Sequence, residues 1–571
     1  MMKRKRYLLL AVLSMALFHE ATRAGASVRV AGNPTAVTTY ECAGIYWKIK
    51  ESGACKVRYR EEATTEWKEG LELVYDARDG EYRGSLVGLS PNTAYRAELV
   101  AGNSKTSLSF KTRNDQFPVG KVTTLPMGES DRPVVITESG TPDAYHLVTA
   151  PTGAKSVLNL KNVHDHGIEI DADYVIIRGI DIRNAAIHGI IIQGGRHDVV
   201  VEQCYITFWG RIGGPNTYGN LDGASDSGIY AKPGTSNLTL QRNLIEEPRG
   251  AANDWETGHP DGPQGITIVE SQGGNVIRYN NIVSTEDHGY NDAIGGGRNY
   301  SFTGNMNRDS DIHGNIIRNV WDDAIESEGA NMNVRIWGNY MHFFFNGVAT
   351  ACTSRGPLYI FRNVTGESRT GHRNSNGGAF VKTGESREFG GGRRYVFHNT
   401  LVQPDGVSDV FTGHVNPNCV TRGNIFDVPG RLATDLVKEP ASDYDYDYFS
   451  GNHVGLSAKE EHGIKFYTTP SGTRLFVSSY SLEFYPRSTI NSIKWGAQPY
   501  QFGDREVNIT DPVLWIRNPL IDSGILLPGF NDDFKGKAPD LGAFEVGQPP
   551  LQFGRRAYLK HDEARAPWEI Y

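Results

Sequence analysis

Two patterns of apolar and polar positions divide the chain. Over residues 28–113, short runs such as GIYWKI and KVRYR alternate apolar with polar residues, as strands with one buried face do. From residue 160 onward the runs become brief and nearly continuous, as in YVIIRGIDI and HGIIIQG. These runs repeat. Aligning QRNLI, RYNNI, IHGNII, RIWGNY, IFRNV, VFHNT and TRGNIF puts Asn243, Asn281, Asn315, Asn339, Asn363, Asn399 and Asn424 in one register, at intervals of 38, 34, 24, 24, 36 and 25 residues. A period near 24 broken by insertions is what stacked β-coils give when loops leave from one side. An Asn at each turn suits a ladder of side-chain amides. The pattern predicts an all-β chain: a right-handed parallel β-helix preceded by a small β-sandwich. A β-propeller needs blades of roughly 40 residues or more, and the 24-residue spacing is too short for one.

A second register shows which residues lie side by side. Taking the first inward apolar residue of each coil as Ile190, Ile229, Ile266, Ile294, Ile325, Val348 and Ala379, the residues one and three positions later point outward. The first outward column then carries Gly295, Glu326, Ala349 and Phe380, and the second carries Gly297, Glu328, Ala351 and Lys382. At the turn before them stand Asp292, Asp323 and Asn346. The stretch VWDDAIESEG holds four carboxylates in seven positions, Asp322, Asp323, Glu326 and Glu328. With coils ~4.8 Å apart, Asp292 is expected beside Asp323, the two glutamates on the exposed face, and Lys382 two coils along, ~10 Å from Glu328. Like charges so close raise one another's pKa unless a cation or substrate compensates. The insertions EEPRGAANDWETGHPDGPQG and STEDHGYNDAIGGGRNYSFTGNMNRDSD supply walls, with Trp255, His259 and Arg249 from the first and His288, Tyr290, Arg298, Arg308 and Asp309 from the second. Aromatic faces and planar cations suit sugar rings and anionic substituents.

The segment LSPNTAY, with Trp47 upstream, resembles the tyrosine corner of fibronectin type III domains. That resemblance implies a sandwich over residues 27–113 in which Tyr95 hydrogen-bonds across a corner. The late stretch NPLIDSGI...APDLGAFE resembles the closing coil of bacterial β-helix proteins, which would extend the solenoid over residues 114–545 and leave an arm at 546–571.

The acidic cluster resembles two carbohydrate-active families. Asn291-Asp292, Asp322-Asp323 and Val381-Lys382-Thr383 follow the coil order of polygalacturonase-type glycoside hydrolases, although FNGVAT stands where that family has Gly-His-Gly, and Phe380 replaces its Arg. This resemblance implies Asp323 as acid, Asp292 or Asp322 as base with Glu326 and Glu328 as rivals, and Lys382 as a substrate contact. Asp322-Asp323-x-x-Glu326 with Asp292 on the preceding coil resembles the Ca²⁺ site of β-helix pectate lyases. That implies metal ligation by those four, with Lys382, its pKa lowered by partial burial, as the base. The first expectation is a glycosidase without cofactor, and the second a Ca²⁺-dependent polysaccharide lyase. The third is a glycan-binding or adhesin solenoid. Trp255, His259, His288, Tyr290, Arg298 and Glu328 are the expected substrate contacts.

Charge and cysteines add bounds. With 58 Lys+Arg against 66 Asp+Glu, a net charge of -8 gives no support to a nucleic-acid partner. A basic cluster at Lys3 to Arg6, an apolar run from Tyr7 to Phe18 and Ala24-x-Ala26 read as a signal peptide over residues 1–26. The run is shorter than the ~20 residues of a membrane span. A secreted or periplasmic monomer acting on a plant or algal, acidic polysaccharide is expected. Cys42 and Cys55 are near enough in sequence to pair, and Cys204, Cys352 and Cys419 read as buried apolar residues.

Overall fold

The structure, a computed structural model, describes residues 32–50, 53–214, 219, 221, 223–253, 258–366, 368–369, 378–384, 386, 388–402, 409–412, 417–427, 441–449, 460–465, 520–549 and 551–559. The expected signal peptide and Trp255 lie outside these residues. Among the described residues no helix is long and apolar enough to cross a membrane.

The short apolar runs form three parallel sheets of 10, 12 and 13 strands, in which each strand pairs with its counterpart one coil away. Ile168, Ile190, Ile229, Ile266, Ile294, Ile325 and Val348 make one unbroken inward column. They belong to a core that runs from Leu125 to Phe449. The chain is therefore a parallel β-helix.

The asparagines form the predicted ladder with one member shifted. Its rungs are Asn243, Asn280, Asn315, Asn339, Asn363, Asn399 and Asn424, each donating its Nδ2 at 2.7–3.0 Å to the next rung's side chain, with Asp447 closing the run. Asn281 is not a rung. It opens the strand Asn281–Val283 in register with Leu244 and Ile316, because RYNNI offers two asparagines and only the first falls at the turn. The fully buried Asn339 donates its backbone N and Nδ2 to Asn363 Oδ1 and its Nδ2 to Ile312 O, and accepts from Asn315. Each buried polar group left unpaired costs about 1–3 kcal/mol. Asn339→Ala is therefore expected to destabilise the solenoid by about 3–5 kcal/mol, read as a lower midpoint in urea; an unchanged midpoint would show the ladder to be ornamental.

Residues 35–111 form a seven-stranded antiparallel sheet in the order first, second, fifth, fourth, third, sixth, seventh. Tyr95 Oη accepts from Ser90 N at 2.8 Å, and Trp47 is buried among Ile45, Tyr82 and Leu86. This unit is packed onto the 12-stranded sheet of the solenoid. Cys42 and Val87 share an apolar cluster with Tyr359, Phe361 and Phe530, and Tyr46 donates to Asp309 at 2.7 Å. Beneath it, the fully buried Arg335 holds Asp311 at 2.5 Å and reaches Ser85 at 3.2 Å. Asp309 thus belongs to this contact. All five cysteines are buried, and Cys42 and Cys55 are not paired; Cys42 faces the solenoid and Cys55 the sandwich core.

The described residues of 520–559 contain no strand. They run lengthwise back along the solenoid. Leu520 and Leu541 pack on Ile425 and Tyr448, Phe530 on Tyr359 and Phe397, Phe553 on Tyr340, and Arg555 N donates to Asn281. The stretch that resembles a closing coil covers the flank instead.

Candidate functional site

The 10-stranded sheet carries the acids. Where its strands enter, a small residue precedes the inward apolar one, because the next coil's carbonyl comes close: a Cβ on Gly265 would meet Ala293 O at 2.6 Å. Ala324 and Ile325 both enter the core, so Asp323 before them and Glu326 after them emerge on the same outer face. Asp292 N-terminal to Ala293 does likewise one coil earlier, and Asn346 one coil later.

The predicted acids converge. Oxygen atoms of Asp292, Asp322 and Asp323 lie within 4.8 Å of one another, as do those of Asp323, Glu326 and Glu328. They are not on an open face. Relative exposures of 5, 4, 1, 7 and 1% for Asp292, Asp322, Asp323, Glu326 and Glu328 correct the expected exposed position of the glutamates, since amides and backbone N–H groups enclose these acids. Asp292 accepts from Gln264 and Asn291 side chains at 3.1 and 3.0 Å and from Asp323 N at 3.1 Å. Asn346 donates to Asp323 at 2.9 Å. Glu326 accepts from Gly296 N at 3.0 Å and Asn305 Nδ2 at 3.3 Å, and Glu328 from Ala351 N at 3.2 Å. Glu328 Oε2 is buried with no hydrogen-bond partner.

Lys382 is nearer than the sequence register implies. Its Nζ is 2.6 Å from Asp323 Oδ2 and 3.5 Å from Glu328 Oε1. Lys382 pairs with Ala349, in the Glu326 column, and Gly384 pairs with Ala351. The predicted register slips by two at this coil because Phe380 occupies the column that holds Gly347 and Ala324; Val381, not Ala379, is the counterpart of Val348. Phe380 is accordingly a core residue and not an outward one.

Electrostatics follow from burial and crowding. Desolvation, then Glu326, Asp322 and Asp323, push the Asp292 carboxyl well above its ordinary range. Desolvation and Asp322 do the same to Asp323, and desolvation raises Glu328 to about 8. Asp322 is held low despite its burial by Lys382 and by His259, whose Nε2 is 3.1 Å away. The Asp322 hydrogen bond raises His259 in turn. Lys382 is raised well above its usual value, because Asp323, Glu328 and Asp322 outweigh its desolvation. The expected lowering by burial is thus reversed by three acids at contact range.

Of the proposed walls, His259 reaches the cluster. Tyr290 does not: it is fully buried, its Oη bonding Ile245 O and Val283 O at 2.9 and 3.0 Å. His288 sits on the short turn Glu286–His288 with its ring edge-on to Phe208. Arg298 lies on the rim, paired with Glu270 at 2.7 Å. Arg249 binds carbonyls of Phe208 and Gly210, and Arg308 that of Gln272. Gln264, Asn291, Asn305 and Asn346 went unassigned in the sequence, yet they hold the carboxylates. Asn346 was readable, since it shares the column of Asp292 and Asp323.

Comparison with known proteins gives loose likenesses. No protein-family model matches the chain, and no curated protein does either. Among solved structures, the pectate lyase Pel9A matches at 12% identity and TM-score 0.38, over 76% of this chain and 91% of that one. The catalytic unit of a GH87 α-1,3-glucanase from Streptomyces thermodiastaticus matches at 12% identity and TM-score 0.38, over 77% and 86%. The family 28 exopolygalacturonase of Yersinia enterocolitica matches at 11% identity and TM-score 0.30, over 74% and 91%. Superpositions this loose carry no argument about chemistry, which rests on the site itself.

Proposed function

We propose that the protein is a Ca²⁺-dependent polysaccharide lyase that cleaves a uronate-containing glycan by β-elimination. The observation that carries this reading is the convergence of five buried carboxylates around one amine. The donors are all oxygen, and oxygens up to 4.8 Å apart are what one ion with ~2.4 Å bonds can join. The vacant acceptor on Glu328 and the strain of raised carboxyls are what a bound divalent cation relieves. Asp292, Asp322 and Asp323 form one such triad and Asp323, Glu326 and Glu328 the other; these would hold it, and when bound it supplies neutralising charge and a Lewis-acid grip on a uronate carboxylate. Sequence alone ranks hydrolysis first. The crowding and spacing of these oxygens favour the lyase.

Within this reading the chain's own residues divide the work. Lys382 is half-buried on the 10-stranded sheet, two coils from Asp323 and three from Asp292, where it can take the proton α to a uronate carboxylate. Asp323 and Glu328 fix its Nζ. They also hold its proton, so the base strength of Lys382 depends on how the acids are compensated. His259 caps Asp322 at the open edge, and Gln264, Asn291, Asn305 and Asn346 keep the carboxylates from splaying.

One observation favours a second reading, glycoside hydrolysis: the raised Asp292 and Asp323 carboxyls suit a general acid. Acid pairs this close would point to retention rather than inversion, whose carboxyls stand ~6.5–9.5 Å apart. Products separate the two. With polygalacturonate and other uronate glycans, a lyase yields new ultraviolet absorbance from a C4–C5 double bond that vanishes with chelator. Reducing ends without that absorbance would overturn the lyase reading.

A further inference from the structure

A cavity of about 240 Å³ lies where the sandwich meets the solenoid, away from the acids. The sandwich lines it with Asp76, Arg78 and Arg83, the solenoid with Arg355, Arg393 and Asn418. Four guanidiniums converge there. The carboxylates facing them are three: Asp76, 2.9 Å from Arg78 and also bound to Arg83; Asp79, 3.1 Å from Arg83 and 2.5 Å from Arg355; and Glu81, 3.7 Å from Arg83. Among the described residues Arg393 pairs with no carboxylate, so one positive charge is in excess. Two donors are left open. Arg83, 1% exposed, has a buried Nη1 without a partner, and Arg393 has a buried Nε without one. Buried donors are ordinarily satisfied, and planar guanidiniums match carboxylates.

Aromatic residues stand between Lys382 and the cavity. Gly384 lies two residues beyond Lys382, and the hydroxyl of half-exposed Tyr300 stands 3.1 Å from where a Cβ on Gly384 would be. Two residues on, Phe302 packs on Phe389 at 5.0 Å and carries the guanidinium of Arg355 at 5.2 Å. Arg355 then enters the cavity wall. Aromatic faces of this kind support sugar rings.

We infer that this interdomain cavity binds an anionic sugar residue, by its carboxylate, from a glycan strand leaving the groove over Tyr300 and Phe302. The inference rests on the proposed acidic-glycan substrate and gives the sandwich a share in binding it. The cavity is smaller than pockets for drug-sized ligands, which suits a single residue.

The test is calorimetric titration of the full chain carrying Lys382→Ala with sodium galacturonate, with galactose as neutral control and sodium sulfate as bare anion, at constant ionic strength. A second chain adds Arg78→Gln and Arg393→Gln. Arg78 is about half exposed and Arg393 lacks a carboxylate partner among the described residues, so a nearly unchanged melting temperature is expected for the second chain. The expected result is galacturonate binding that weakens at least tenfold in the second chain, with no response to galactose. Equal galacturonate binding by both chains overturns the site, and so does absence of binding. Sulfate bound without galacturonate overturns its assignment to a sugar. Absence of lyase activity in the natural chain with this pattern intact would count against the proposed reaction and leave the cavity assignment standing.

Discussion

Lys382→Arg should retain the fold and lose the reaction. Arginine keeps a cation beside Asp323 and Glu328, which otherwise stand 2.6 and 3.5 Å from the Lys382 amine. It cannot act as a base, because a guanidinium does not give up its proton in the accessible range. If Lys382 abstracts a proton, turnover falls by the ~10²–10⁴-fold that a positioned acid or base contributes. Lys382→Ala should lose as much and also destabilise the protein, since two buried carboxylates are then left without their cation. If Lys382 only binds substrate, as in the hydrolase reading, the arginine variant keeps most of its kcat and changes KM. Initial rates and melting temperatures of both variants decide this. An arginine variant with near-natural kcat would remove Lys382 from the chemistry.

Much of the geometry was legible in the sequence, and the misses have physical causes. The inward column Ile190, Ile229, Ile266, Ile294, Ile325, Val348 could be read because a core position on every coil meets the same demand. From it the approach of Asp292 to Asp323 followed. The register failed at Phe380, a large residue in a column otherwise held by Gly or Ala, and with it failed the placement of Lys382. Asn280 and Asn281 both suit a turn, and only the ladder's hydrogen bonds separate them. Burial of the acids was not legible at all. It depends on side-chain amides from separate coils, Gln264, Asn305 and Asn346, and on the Gly296 backbone. Tyr290 looked like a binding aromatic because its insertion is polar, yet the turn directs it inward, where two carbonyls take its hydroxyl.

In the presence of chelator, the acidic cluster should stabilise the protein less at pH 8 than at pH 5, and added Ca²⁺ should restore that loss. Glu328 titrates near 8 in the folded chain against 4.5 for a free glutamate, and Asp292 and Asp323 are also raised. Between about pH 4 and 8 the folded state therefore holds protons that the unfolded state has released, and stability falls as pH rises through that window. His259, raised by Asp322, works in the same direction: its contribution is present below 6.5 and fades above it. Asp322, held low, contributes above its ordinary value and loses that only in acid, while the raised Lys382 loses its contribution only in strong alkali. The buried His188, His342 and His398, held down near 3 by desolvation, oppose the trend below 6.5, so the share of the acids is read as the difference between the natural chain and one lacking a raised carboxyl. A cation held by the acids competes with those protons, so its effect should be largest where they are fewest. A ligand at a hundred times its Kd adds about 2.7 kcal/mol, readily seen as a rise in Tm at pH 8 and a much smaller one at pH 5. Glu328→Gln, which removes one raised carboxyl, should flatten the pH dependence measured with chelator. A natural chain whose pH dependence without Ca²⁺ matches that of Glu328→Gln, or a melting temperature indifferent to Ca²⁺ at pH 8, would mean that the acids are neutralised by the protein alone and that the metal reading of the cluster is wrong.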